Sequence, residues 1–277
     1  MTTTDKRISQ FPWDFFALTF GFSWLVWLPA ILGNLGIISL RVDAVAGPIS
    51  ILGLFGPMFG ACVLIYRDQG WAGVKRHLGR LLNVRIRAGW WAVILLLPLG
   101  IQAAAHFFPL VTHEQVPAPL ISSLWAFLFT LVMVTLVGGG QEELGWRGYA
   151  LDRIQTRFTA LNSSVILGTF WACWHIPLWF MPGTSLGSTP FGAFVVACAA
   201  LSVILTWIYN NTGKNMVAAI LTHGMVNAVN PLFPVIMARG TDQHVYVYWA
   251  ITYAVAAILI TLIWGPTTLS GRTTVQA

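Results

Sequence analysis

Long apolar runs, separated by short polar segments, dominate the chain. Eight of them fall at roughly 14–35, 45–66, 89–109, 121–140, 162–181, 191–209, 216–238 and 245–264. A helix crosses a bilayer with about 20 mostly apolar residues. The pattern predicts an all-α fold, a polytopic transmembrane helix bundle of about eight spans. No A-x-A-like cleavage site flanks the first run, and it is longer than a secretory h-region, so it reads as a retained span. No repeat, low-complexity tract or soluble domain interrupts the runs. Residues 1–277 therefore read as a single integral membrane domain.

Composition agrees. Hydrophobic residues make up 57% and charged residues 9%, whereas a water-facing surface needs about 25% charged residues. An ordinary cytosolic enzyme, a disordered protein and a nucleic-acid binder are excluded. Cys62, Cys173 and Cys198 lie in apolar runs without a C-x-x-C pair and read as small buried hydrophobes.

The net charge of +6 reports topology. Sorting the segments between runs alternately, from a cytoplasmic N-terminus, puts Lys6, Arg7, Arg67, Lys75, Arg76, Arg80, Arg85, Arg87, Arg147, Arg153, Arg157, Lys214 and Arg272 inside. Only Arg41 and Arg239 fall outside. That split, 13 against 2 of the 15 basic residues, follows the positive-inside rule and predicts an even number of spans with both termini cytoplasmic. Residues 67–88 mix basic residues with Leu78, Leu81, Leu82, Val84 and Ile86. They read either as an interfacial stretch on the anionic leaflet or as a solvated basic loop.

Ionisable and amide side chains in lipid are costly and tend to mark function. Glu142 and Glu143 sit at the inner end of the fourth run, after Gly138-Gly139-Gly140. On a continuing helix Glu143 pairs with Arg147 at i+4, while Glu142 points about 100° away. One acid is then held by arginine and the other is free for proton chemistry; a charged cap on a helix end is the alternative. The fourth helix is expected to run unbroken through Glu142 to about residue 157. His175 lies in an uncharged span two residues before Pro177, as a satisfied core histidine or beside a cavity. His223 and Asn227 share one helix face, as interhelical glue or as a site. His77, His106, His113 and His244 are assigned no role. Ser163 and Ser164 read as caps of a helix start.

A carboxylate, two imidazoles and an amide brought together from three helices are the parts of a hydrolase. The acid takes a proton from water, and N–H groups hold an oxyanion. The same parts could bind zinc. H-E-x-x-H is absent.

At these residues the chain resembles the CPBP family of intramembrane proteases, which includes CAAX prenyl endopeptidases and bacterial Abi-type, bacteriocin-linked proteins. Glu142-Glu143-x-x-x-Arg147 matches the family pattern E-E-x-x-x-R, and His223-x-x-x-Asn227 matches H-x-x-x-N. His175 matches F-x-x-x-H, with Trp171 where phenylalanine is usual. The resemblance covers about residues 120–240. It implies that Glu142 and His175 activate water, that His223 and Asn227 stabilise the oxyanion, and that Glu143 and Arg147 support the site. It leaves two mechanisms, one with a divalent metal such as zinc on Glu142, His175 and His223, the other metal-free. The implied partners are membrane lipids and a peptide or protein substrate, either prenylated or bacteriocin-like, and no nucleic acid. The implied location is a prokaryotic cell membrane. A non-catalytic immunity or scaffold protein is the alternative. A proton-coupled transporter is disfavoured, because no counterpart of the motifs precedes residue 110.

Overall fold

The computed structural model describes residues 11–40, 42–184, 186–235 and 244–270. Lys6, Arg7, Arg41, Arg239 and Arg272, used in the charge sorting, lie outside the described residues, as do both termini. Among the described residues every element is helical and no strand occurs. The main helices are α1 (Trp13–Asn34), α2 (Val42–Gly53), α3 (Gly56–Gly79), α4 (Ala88–Phe107), α5 (Leu124–Val137), α6 (Ala160–Trp174), α7 (Phe191–Asn211), α8 (Met216–Val229) and α9 (His244–Trp264).

Each predicted apolar run is helical, but not every helix spans. Among the described residues five helical stretches are long and apolar enough to cross a membrane: α1, Ala88–Thr112, Leu124–Ile154, α7 and α9. The pair α2–α3, bent by 43°, makes a sixth. The runs at 162–181 and 216–238 form helices of only 15 and 14 residues. Prolines explain both stops. Pro177 turns the chain after Trp174 into a 3-10 segment, Ile176–Phe180, and Pro231 follows the end of α8 by two residues. The protein is an integral membrane helix bundle built around two shortened helices.

The most enclosed long helix is α7. Its apolar window is 67% buried, against 17% for the stretch containing α5. A helix apolar on all sides belongs at the centre of a bundle, and α7 packs most extensively on α6 and α9. Gly168 makes the α6–α7 crossing tight, since a Cβ there would lie 2.6 Å from Cα of Ala199. Small residues at such crossings let membrane helices approach closely. Helix α8 packs against α4 and α5, and α1 against α2 and α3.

Connections sorted to the cytoplasmic side do meet at one end of the bundle. Arg67 pairs with Asp14 at 3.1 Å and Lys214 with Asp152 at 2.9 Å. At the other end Leu120 donates its backbone N–H to Pro231, and the Tyr248 hydroxyl donates to Glu114. Residues 67–88 are largely helical rather than a loop. Helix α3, interrupted at Gly70, continues to Gly79, and a 3-10 turn follows to Leu82. Leu78, Leu81, Leu82 and Val84 are exposed, while His77 is buried.

Candidate active site

The fourth run does not form the unbroken helix expected of it. Helix α5 stops at Val137, and Gly139 adopts φ 139°, ψ −38°. That backbone conformation is essentially open only to glycine. Beyond it come a 3-10 turn (Gly140–Glu142), one α-turn (Glu143–Gly145), a π-helix (Trp146–Leu151) and a last α-turn (Asp152–Ile154). Irregular backbone at membrane depth is tolerated where protein covers it, and residues 140–147 are all buried. Two groups from the α3 side brace the segment. His77 Nε2 lies 3.0 Å from the Leu144 carbonyl, and Arg80 donates to the Gly148 carbonyl at 3.1 Å and to the Tyr209 hydroxyl at 2.6 Å.

The two adjacent carboxylates have separate partners. Glu142 Oε2 accepts from the indole of Trp146 at 3.1 Å and from that of Trp171 at 2.9 Å. Its Oε1 makes no hydrogen bond among the described residues. Glu143 Oε1 accepts from Arg147 at 3.0 Å and lies 2.8 Å from His223 Nδ1. Arg147 also donates to Ser202 on α7 at 3.0 Å. Arg147 is therefore not a cytoplasmic loop charge, as the topology sorting treated it. It is fully buried, against a carboxylate that balances its charge.

The imidazoles are oriented by what their Nδ1 atoms touch. His175, half-buried at the end of α6, places Nδ1 2.7 Å from the Trp171 carbonyl. A carbonyl only accepts, so Nδ1 carries the proton and Nε2 of the neutral ring is a bare acceptor. His223 gives its Nδ1–H to Glu143, and its ring stands edge-on to Trp171 at 5.0 Å. Asn227 donates to the Gly138 carbonyl at 2.7 Å. A Cβ built on Gly139 would lie 2.5 Å from Asn227 Nδ2 and 2.9 Å from His223 Nε2. The missing side chain thus lets the Gly139 backbone lie directly against two nitrogens of α8.

The fold therefore gathers Glu142, Glu143, Arg147, His223 and Asn227 around the break after α5, with His175 joined to them through Trp171. A family model described as type II CAAX prenyl endopeptidase Rce1-like matches residues 123–229. The match opens at Ser123, which caps α5, and closes at Val229, the last residue of α8, so it contains every one of these side chains. A CAAX prenyl protease 2 from Methanococcus maripaludis is 26% identical over 224 residues, covering 76% of this chain and 80% of the relative. The chain is thus similar to CAAX prenyl endopeptidases over the segment that carries these side chains.

Within that family pattern, the tryptophan at the F-x-x-x-H position is a polar participant as well as an aromatic one. Trp146, Trp171, Ser202 and His77 were all missed by sequence reasoning. Two of them carried a signal: Trp146 is four residues after Glu142, and Trp171 is four before His175, the spacing that brings helical side chains together. Ser202 and His77 had none, because their partners are 55 and 67 residues away. Ser163 and Ser164 do not cap α6. Thr159 does, accepting from the Asn162 backbone at 3.2 Å, while Ser164 donates back to the Ala160 carbonyl.

Among the described residues no three His, Cys, Asp or Glu side chains converge to hold a metal. With each histidine Nδ1 given to an oxygen and Glu142 Oε2 taken by two indoles, Glu142 Oε1 and the Nε2 atoms of His175 and His223 are the atoms that would hold a divalent ion.

Proposed function

We propose that the chain is an intramembrane endopeptidase that cleaves near a prenylated C-terminus, with Glu142 and His175 activating the attacking water. The substrate class is supported by the name of the Methanococcus maripaludis relative and by the description of the matching family model. That relative also supports a prokaryotic cell membrane as the location. The observation that carries the chemistry is the division of labour between the acids: Glu143 is spent on Arg147 and His223, and Glu142 keeps one oxygen unengaged.

Water bound between Glu142 Oε1 and the bare Nε2 of His175 gives a hydrogen to each acceptor and turns a lone pair toward the scissile carbonyl carbon. As the C–O bond forms, a proton passes to Glu142. The carbonyl oxygen becomes an oxyanion beside Gly139, where Asn227 and His223 stabilise it. Glu142 then returns the proton to the amide nitrogen, the C–N bond breaks, and an amine and a carboxylic acid form, the acid's proton passing to the amine. No step runs through a metal.

The test is hydrolysis of a farnesylated CAAX peptide and of its unprenylated counterpart by the purified chain in lipid nanodiscs. Glu142→Gln is expected to abolish cleavage while the protein stays folded. Cleavage by Glu142→Gln at the wild-type rate overturns the assignment of the base. Equal cleavage of the two peptides overturns the substrate class.

A further inference from the structure

We infer that the indoles of Trp146 and Trp171 form a two-donor cradle that aims the Glu142 carboxylate, with Trp171 also setting the orientation of His175. The inference rests on Glu142 acting as the base, and deepens that reading.

Both N–H groups end on the same oxygen, Oε2, at 3.1 Å and 2.9 Å. A carboxylate held through one oxygen by two donors from different directions cannot rotate freely about its last torsion, so Oε1 is kept pointing away from them. The donors come from separate elements, Trp146 in the π-helix and Trp171 in α6. Indole suits the position because it donates without accepting and cannot compete for the proton that Glu142 handles. Both rings are nearly fully buried, where an N–H aimed at a carboxylate is worth far more than in water.

Trp171 has a second hold on the site. Its carbonyl takes Nδ1–H of His175 at 2.7 Å, which leaves Nε2 as the acceptor. One residue therefore fixes the two groups between which water is activated. Phenylalanine, usual at this family position, would keep the carbonyl and lose the donor.

The neighbouring Trp174 provides an internal control. It is fully buried next to His175 in sequence, yet its indole nitrogen has no hydrogen-bond partner among the described residues.

The experiment compares Trp146→Phe, Trp171→Phe and Trp174→Phe in the purified chain, by kcat and KM on the farnesylated peptide and by melting temperature. Loss of one donor to a charged group is expected to lower kcat about tenfold or more in Trp146→Phe and in Trp171→Phe, with KM within about twofold. Trp174→Phe is expected to keep kcat. The infrared carboxylate band assigned to Glu142, by its loss in Glu142→Gln, is expected to shift in the first two variants and not in the third. This second readout needs no turnover. Wild-type kcat and an unmoved band in both Trp146→Phe and Trp171→Phe overturn the cradle, as does an equal loss in Trp174→Phe. If Glu142→Gln itself still cleaves, the base assignment fails instead, and the two failures are distinguishable.

Discussion

Glu143 and His223, 80 residues apart, meet at 2.8 Å between Oε1 and Nδ1, and this contact joins the first motif to the third. The same oxygen holds Arg147, which reaches on to Ser202, so four side chains from three parts of the chain form one buried polar train. Breaking a buried ion pair strands a charge and costs about 3–5 kcal/mol. Glu143→Ala is expected to destabilise the protein by that order and to release His223 from its orientation. Unfolding in detergent, followed by loss of tertiary signal, checks it; a melting profile matching wild type would contradict the train.

Ser202→Ala separates the two ends of that train. It removes one hydrogen bond to a charged group, worth about 1.5–3 kcal/mol, and leaves Glu143, His223 and Gly139 untouched. The expected result is a less stable protein with kcat close to wild type. A large drop in kcat at preserved stability would place Ser202 closer to the chemistry than its contact with Arg147 indicates.

Asn227 has two tasks with different signatures. It ties the Gly138 carbonyl at 2.7 Å and lies against Gly139. Removing an oxyanion donor typically costs about 100- to 1000-fold in kcat. Asn227→Ala is expected to show that loss with KM little changed. Were the tie to Gly138 its whole role, the variant would show reduced stability and ordinary turnover instead.

Much of this site could be read from the chain itself, and the limits of that reading are physical. Lipid punishes unpaired polar groups, so Glu142, His175, His223 and Asn227 stood out against apolar runs, and i,i+4 spacing anticipated the Glu143–Arg147 pair. What failed was the assumption of regular helix. Counting apolar residues could not register that Pro177 and Pro231 shorten α6 and α8, or that Gly139 breaks the fourth run. The break matters to the site. It lets the backbone turn so that Glu142 faces α6 while Glu143 faces α8. Partners supplied from far along the sequence, such as His77 and Ser202, left no local trace.

His77 and Arg80 are expected to act on the shape of the π-helix without touching the reacting groups. His77 reaches the Leu144 carbonyl and Arg80 the Gly148 carbonyl, on either side of Trp146. Arg80→Ala should loosen residues 144–151, seen as faster amide hydrogen exchange there than in α7. Unchanged exchange across that segment would show that the π-helix is held by its own packing.

Gly139→Ala probes the break directly. Alanine is strained at φ 139°, and its methyl would sit 2.5 Å from Asn227 Nδ2 and 2.9 Å from His223 Nε2, displacing the two groups assigned to the oxyanion. Both effects point the same way, so cleavage should be lost. Gly100→Ala in α4 provides the contrast. A Cβ there meets nothing within 4 Å, and replacing an interior helical glycine by alanine is worth about 0.5–1 kcal/mol in favour of the helix. The pair of variants should therefore diverge, one inactive and one at least as stable as wild type and fully active. An active Gly139→Ala would mean that the carbonyl oxygen is received by groups other than Asn227 and His223.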